Sequence, residues 1–412
     1  MSSEQPSWPP LHLATGPLGH VNSTPQLLSA LCRLIASRQA VSKADLVSVT
    51  GVPRTTVSTA VDRLLRDGTL VYDGLRHAPG RGRPAERLVL SPQRALVLGI
   101  ELDAYAVTLG VFDLNQTLRA TAAHAVSLFD GPRETLDTVA DAANALLDEL
   151  GTPRASVHLG IIGVPGPVDV REGIPIRPWR MPGWHAYRVV DELEERIGVP
   201  MSLENVVNLR ALGEARALGP SSWPLIYIDA DARLDGGIIL GDGTLHRGMA
   251  GGAADFGHLR PRDAPAVRCP CGNVGCLEAT SSAVSLVASL LDRAPESLSA
   301  ADLDLLRVRI EHEDTAAMAL VEAAAAHVGE AVALLLHVLN PARVSLRGVL
   351  TSSSDAFLSG IRSIVYGRAQ PLATRNLQIV NSVLDTRAAL AGAAVMGIES
   401  ALAPSAFESA GT

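Results

Sequence analysis

Cys269-Pro270-Cys271-Gly272-Asn273-Val274-Gly275-Cys276-Leu277-Glu278, with Gly257-His258-Leu259-Arg260 upstream, is the stretch from which the rest of the chain can be read. Three of the four cysteines fall within eight residues, and His258 stands eleven positions before the first of them. Three thiolates and one imidazole, His258, Cys269, Cys271 and Cys276, make a tetrahedral set whose softness suits zinc. Gly272 and Gly275 let the backbone turn tightly round an ion. The other readings are free cysteines in a turn, or a disulfide. A Cys269–Cys271 bridge would close a very small, strained ring, and nothing in the sequence points to an oxidising compartment. With all four positions filled by protein, the expected Zn2+ is structural and leaves no open position for catalysis.

The chain has 412 residues, 47% hydrophobic and 19% charged, the composition of a globular protein of two or three domains with a sizeable core. Aromatic residues are only 3%, so that core is built of Ala, Val and Leu. The N-terminus carries Glu4 and several prolines where a signal peptide would need basic residues and then an apolar run. The longest apolar segment, 316–339, contains Glu322, His327, Glu330 and His337, and reads as a packed helix rather than a membrane span. The expectation is a cytoplasmic protein with no membrane partner. Net charge is −8, but residues 24–97 hold eleven basic side chains against five acidic ones, so the remainder is strongly acidic. A basic head on an acidic body implies that the head meets a polyanion.

Residues 1–23, rich in proline, are expected to form a disordered leader. Thr24-Pro25 then opens a first helix with Leu27, Leu28, Leu31, Leu34 and Ile35 at helical spacing. Ser42 caps a second helix that Gly51 ends, and Pro53 opens a third with Val57, Val61, Leu64 and Leu65 on one face. The third helix leaves Arg54, Thr55, Thr56, Ser58 and Thr59 outside, small hydroxyl groups and a cation suited to a major groove. Strands at 69–72 and 86–90 flank Pro79-Gly80-Arg81-Gly82-Arg83-Pro84, a wing whose Arg81 and Arg83 fit a narrow minor groove. Helix-turn-helix plus wing, in the basic part of the chain, predicts a winged helix-turn-helix DNA-binding domain over 24–97.

From residue 98 the pattern becomes apolar strand runs alternating with helices: strands at 98–102, 107–113, 157–164, 201–204, 225–229, 236–240 and a last one at 344–346. Helices are predicted at 133–150, 190–197, 208–218, 283–291, 316–339, 355–366 and 387–401, with an acidic segment at 303–314. Alternation of this kind predicts an α/β body over 98–400, long enough for two lobes with a cleft, and a short tail over 401–412.

His258 with the Cys269-x-Cys271-Gly272-x-x-Gly275-Cys276-Leu277-Glu278 run resembles the signature of the ROK family (repressors, open reading frames and sugar kinases). Val164-Pro165-Gly166-Pro167-Val168-Asp169, Pro182-Gly183-Trp184, Glu204-Asn205-x-x-Asn208, Gly213-Glu214, Leu339-Asn340-Pro341 and the alanine-glycine run 388–394 follow in family-like order, covering residues 97–400. The resemblance implies a two-lobed actin-like ATPase fold with a sugar site in the cleft beside the zinc loop. Its head is similar to the winged helix of the family's repressor branch.

On this resemblance Asn205, His258 and Glu278 match positions that hydrogen-bond sugar hydroxyls, and Asp255 stands where a Glu is usual. Arg180 falls where the kinases often place an Asn, and an Arg there could pair with a phosphate or carboxylate on the effector. His258 would serve zinc through one ring nitrogen and the sugar through the other. The kinase parts are altered together: Val206 replaces the Asp that takes the proton. Glu101-Leu102-Asp103-Ala104-Tyr105 and Asp231-Ala232-Arg233-Leu234-Asp235 replace the two phosphate loops, and Arg347-Gly348-Val349 replaces a glycine run. The resulting expectation is no catalytic residue and no enzyme. The chain is instead read as a transcriptional regulator of carbohydrate genes, a repressor, controlled by a sugar or sugar derivative. It would bind an inverted-repeat operator in double-stranded DNA as a homodimer or homotetramer. The alternatives are a ROK-type sugar kinase with atypical phosphate loops, and an effector-independent DNA-binding regulator.

Overall fold

The computed structural model describes residues 9–15, 23–76, 85–178 and 181–408. The chain begins with three helices, α1 (Thr24–Ala36), α2 (Lys43–Thr50) and α3 (Arg54–Arg66). A wing follows, β1 (Leu70–Arg76) antiparallel to β2 (Ala85–Leu90). Ser23 and Ser42 accept N–H bonds from Gln26 and Asp45, so α1 and α2 each start on a side-chain cap. The predicted apolar stripe of α1 is buried, and Lys43 pairs with Asp62 to tie α2 to α3.

The first lobe of the body comprises β3 (Leu96–Leu102), β4 (Ala106–Asp113), β5 (Leu118–Ala125), α4 (Pro132–Glu149), β6 (Val157–Val164), β7 (Val168–Asp169), β8 (Ile174–Pro175), α5 (Val189–Ile197) and β9 (Met201–Asn205). Among the described residues its sheet runs β5-β4-β3-β6-β9, antiparallel across β5-β4-β3 and parallel across β3-β6-β9. Helix α6 (Val206–Leu218) leaves β9 directly.

The second lobe comprises β10 (Leu225–Ala230), β11 (Leu234–Ile239), α7 (Leu277–Ser281), α8 (Ala283–Leu291), α9 (Ala300–Glu311), α10 (Thr315–Leu339), β12 (Arg343–Arg347), α11 (Val349–Ser352), α12 (Asp355–Arg368), α13 (Pro371–Thr374) and β13 (Gln378–Asn381). Its sheet runs β11-β10-β12-β13. Among the described residues one helix, α10, is long and apolar enough to cross a membrane, and its Val321, Ala324, Val328 and Val332 sit in the core of this lobe.

Helix α14 (Ala388–Ala401) lies on β3 and β6, while α6 lies on β10 and β11, and the two helices pack against each other as the layer between lobes. Glycine makes that approach possible. A Cβ on Gly213 would stand 2.0 Å from the Ala388 carbonyl oxygen, and one on Gly392 would stand 2.0 Å from that of Leu209.

Several elements depart from the sequence-based expectations. Most of segment 303–314 belongs to a helix, α9, which ends at Glu311, and the strand at 344–346 is not the last, because β13 pairs parallel to it. Strand β5 extends the sheet edge at 118–125, where no strand was expected. The leader expected to be disordered is in part firmly packed. Leu11 and Leu13 are only 1% and 3% exposed and share one apolar cluster with α1, α6 and α14. Gln116 brackets the Leu11 backbone, accepting its N–H at 2.7 Å and donating to its carbonyl at 2.8 Å. His12 N–H donates to the Arg216 carbonyl at 2.8 Å, and Leu13 N–H donates to Ser37 Oγ at 3.0 Å. The expected C-terminal tail is likewise packed as far as Phe407, which is buried in the same cluster, and Ser29 of α1 donates to the Leu402 carbonyl.

Head and body therefore share a continuous core across α1, the 9–15 strap and the C-terminal end of α14. Arg33 of α1 donates to the carbonyls of Ala14 and Glu399, the second at 2.7 Å. Replacing Leu11 or Leu13 by Ala is expected to lower unfolding free energy by about 2–5 kcal/mol, the usual cost of emptying a buried leucine site. Urea unfolding followed by circular dichroism measures this, and an unchanged midpoint would mean that the strap contributes nothing.

Candidate functional site

The cysteine loop folds as a compact knot. Cys269 N–H donates to the Asn273 carbonyl at 2.8 Å, Gly272 N–H to Cys269 at 2.9 Å, and Gly275 N–H to Val267 at 2.8 Å. Gly272 and Gly275 take φ of +98° and +78°, which side-chain-bearing residues rarely adopt. The ligand atoms of His258, Cys269, Cys271 and Cys276 all lie within 4.8 Å of one another. Two edges of that cluster, His258 Nδ1 to Cys269 Sγ and Cys271 Sγ to Cys276 Sγ, are each 3.7 Å. A tetrahedron with metal–sulfur bonds of about 2.3 Å has sulfur–sulfur edges of roughly 3.8 Å, so the four residues fit a tetrahedral metal ion.

The second nitrogen of His258 does not open freely to the cleft. Its Nε2 lies 3.9 Å from Asp255 Oδ1, near the carboxylate but beyond hydrogen-bond reach. Asp255 itself is exposed and His258 half-buried. Glu278, two residues past Cys276, is buried on α7 and accepts the Leu234 N–H at 2.7 Å, which ties the metal loop to the β10–β11 hairpin. It also lines a cavity of about 520 Å³, together with Arg268 and Pro270 of the metal loop and Tyr105 and Phe129 of the first lobe. Asn205 caps α6, its side chain accepting the Val207 N–H at 3.1 Å. Of the expected sugar residues, the structure thus gives Asn205 and Glu278 local hydrogen-bond partners, while Asp255 is exposed beside His258. Arg180 lies outside the described residues.

On the head, Arg54, Thr55, Thr56 and Thr59 are exposed along the first turns of α3. Ser58 is half-buried, with Lys43 Nζ 3.5 Å from its hydroxyl. Arg81 and Arg83 lie outside the described residues.

A cluster that sequence reasoning missed occupies the place between the lobes. Arg210 of α6 is buried and donates through Nε to Glu101 at 3.0 Å, through Nη2 to Glu101 at 2.6 Å and to Asp103 at 3.3 Å, and through Nη1 to Asp229. Arg347 of β12 adds bonds of 3.0 Å to Asp229 and 3.0 Å to Asp231. Glu101 belongs to the end of β3, Asp103 follows it directly, and Asp229 belongs to β10, so one guanidinium joins both lobes. Burial alone would lower the Arg210 pKa, but Asp229, Glu101 and Asp103 outweigh it and hold it well above its ordinary value. The signal was present in Val206-Val207-Asn208-Leu209-Arg210-Ala211-Leu212, where a charge sits in a helix that offers no polar face.

Above this cluster lies a cavity of about 290 Å³ lined by residues of both lobes, including Pro165, Met181, Val206 and Asp235. Val206 sits where the resemblance puts the kinase base, and the two phosphate-loop substitutes supply Asp103, Asp231 and Asp235 to the same wall.

The ROK family pattern matches residues 97–399. The chain belongs to the ROK family. The xylose repressor of Bacillus spizizenii is 25% identical over 372 residues, spanning 90% of this chain and 94% of that protein. A crystal structure described as a ROK family transcriptional regulator, homolog of the E. coli MLC protein, superposes with a TM-score of 0.72 at 21% identity, covering 92% of this chain and 97% of that one. ROK hexokinase from Thermus thermophilus superposes with a TM-score of 0.59 at 28% identity, but covers only 73% of this chain against 97% of its own. The expected architecture, a winged helix-turn-helix head on a two-lobed ROK body, is therefore the one found.

Burial, reinforced by Asp255 and opposed by Arg233, pushes the Asp235 carboxyl up to about 7. A raised folded-state pKa means that the native protein holds this proton more tightly than the unfolded chain. The associated stability is present below the ordinary carboxyl pKa and is lost as pH rises through about 7. Asp235→Asn is therefore expected to be more stable than wild type at pH 8, with the advantage shrinking toward pH 4. Melting temperatures across that range measure it, and a constant difference would exclude the carboxyl as its source.

Proposed function

We propose that this ROK protein is a DNA-binding transcriptional repressor of carbohydrate-related genes, released by a sugar or sugar derivative in its cleft. The observation that carries the reading is the exposed N-terminal face of α3, Arg54, Thr55, Thr56 and Thr59, in the basic part of an otherwise acidic chain. Repressor relatives that match head and body together support it, whereas the hexokinase match spans a share of the chain close to that of the ROK body alone. Against kinase activity stand Val206 at the base position and carboxylates where a nucleotide's phosphates would lie, since like charges there repel. The protein works in the cytoplasm as a homodimer or homotetramer, two heads meeting the half-sites of an inverted repeat.

The switch runs along α6. Its N-terminal end carries the Asn205 cap, Val206 and Arg210 at the cleft, and its C-terminal end carries Arg216, whose carbonyl holds the strap. Effector binding that favours one closure of the lobes moves this helix, and with it the strap and α1. Gel shifts at fixed salt test the reading. Arg54→Ala is expected to weaken operator binding and reduce the slope of affinity against salt by about 1, the loss of one phosphate contact. An effector sugar is expected to release the DNA. If no sugar altered operator affinity while a coupled assay registered ADP release, the chain would be a kinase instead.

The metal is zinc, held by His258, Cys269, Cys271 and Cys276, and its task is to fix the loop that carries Glu278 and one wall of the larger cavity. Cys269→Ala is expected to lose zinc, measured by plasma mass spectrometry, and with it the effector response, while operator binding without effector persists. An intact response in the zinc-free variant would reduce the loop to a staple.

A further inference from the structure

The smaller cavity between the lobes combines apolar walls with an unbalanced acidic floor. Four carboxylates line it, Asp103, Asp229, Asp231 and Asp235, against two guanidinium groups, Arg210 and Arg233. Arg210 is already committed to Glu101, Asp103 and Asp229. Arg347, behind the floor, is shared among Asp229, Asp231 and Asp385. The strongest pointer is Asp229. It is 4% exposed and gives its Oδ2 to both Arg210 and Arg347. Its Oδ1, in contrast, is buried with no hydrogen-bond partner among the described residues. A buried carboxylate oxygen without a donor is costly, and one on a cavity wall is relieved by a ligand that brings the donor. Tyr105 and Phe129, their ring centroids 5.7 Å apart, line the same cavity and offer surfaces that tolerate a cation.

We propose that this cavity selects a ligand bearing a protonated amine, the amine set against Asp229 Oδ1 and Asp235 and its frame covered by Tyr105 and Phe129. This rests on the reading of the cleft as an effector site and narrows the effector class to an amine-bearing sugar, one whose nitrogen is unacylated and charged. A phosphorylated or acidic sugar is disfavoured at this floor, because each of its charges would meet carboxylates that Arg210 and Arg347 do not fully balance. Burial and then Asp229 push the Asp231 carboxyl up despite Arg347, in keeping with a floor short of positive charge.

Isothermal titration of the full-length protein with glucosamine, N-acetylglucosamine, glucose, glucose 6-phosphate and ethanolamine tests the proposal. These probes vary charge on one ring and then remove the ring. Glucosamine is expected to bind about tenfold tighter than either neutral sugar, the scale of one charged hydrogen bond in a buried site. Asp235→Asn is expected to bring the glucosamine and glucose affinities to within about twofold of each other. Equal binding of charged and neutral sugars by wild type, or preference for the phosphate, would overturn the amine assignment and leave the sugar reading standing. Binding of ethanolamine but of no sugar would do the reverse. Binding of none of the five would overturn both. The wild-type comparison stands alone if Asp235→Asn fails to fold.

Discussion

The arrangement of the body depends on one buried guanidinium. Arg210 reaches Glu101 and Asp103 at the end of β3 and Asp229 on β10, tying both sheets through charge, and Arg247 adds a second ion pair, at 2.6 Å, to Glu204 of β9. Taking such charges out of water is expensive, and the pairing compensates only because every partner is present. Removing the arginine would leave Glu101 buried and unpaired and Asp229 with Arg347 as its one remaining cation, a loss on the order of 3–5 kcal/mol. The cluster is therefore better understood as fixing a geometry than as adding net stability. It sets how the two sheets stand relative to each other.

Helix α6 turns that local constraint into a long-range one. Every turn of it is anchored to something different: Asn205 caps it, Arg210 joins the lobes, Gly213 admits α14, and Glu214 accepts the N–H groups of Val383 and Leu384 before α14 begins. Its end is gripped by the N-terminal strap. Arg216 is 2% exposed, pairs with Glu399 at 3.1 Å, donates to the His12 carbonyl at 3.3 Å, and lies 5.3 Å from the centroid of the Trp223 ring. Glu399 in turn accepts from Ala14 N–H, and its carbonyl accepts from Arg33 of the head. A packed helix is stiff along its axis, so α6 is the element through which the proposed switch would connect the Arg210 end to the strap.

The parts of this design that were legible in sequence are those encoded within a few residues. Ser42, Gly51 and Pro53 mark helix ends by local backbone chemistry, and the cysteine spacing marks a metal set wherever it occurs. What escaped depends on partners far along the chain. Strand β5 reads Leu118-Arg119-Ala120-Thr121-Ala122-Ala123-His124-Ala125, rich in alanine and mostly solvated, and only pairing with β4 makes it a strand. Helix α9 buries just Leu306 and Ile310, too few apolar positions to declare a face. Leu11 and Leu13 are two apolar residues among prolines and glycines, and their burial needs Gln116 and Ser37. Charge in α6 was visible, but its meaning lay in Glu101 and Asp229, carboxylates 109 and 19 residues away.

Under the proposed reading of the cleft as an effector site, charges fixed between the lobes limit how it can be controlled. In a kinase of this fold the anionic nucleotide supplies part of the attraction between lobes and leaves after turnover. Here the attraction is supplied by the protein's own charges, Arg210 pairing with Glu101 of the first lobe and Asp229 of the second. A ligand can then shift the lobes only by binding one closure better than the other, and moving a population from 1:99 to 99:1 takes a differential of about 5.5 kcal/mol. A neutral sugar held by a few hydrogen bonds at about 1 kcal/mol each falls short of that. Interactions with buried, unbalanced carboxylates are larger per contact and change steeply with lobe spacing, because Coulomb energy in a low-dielectric cleft varies with distance and solvent entry. The orphaned oxygen of Asp229 and the protonation-prone Asp235 are thus placed where a small movement has the most leverage on the interlobe layer.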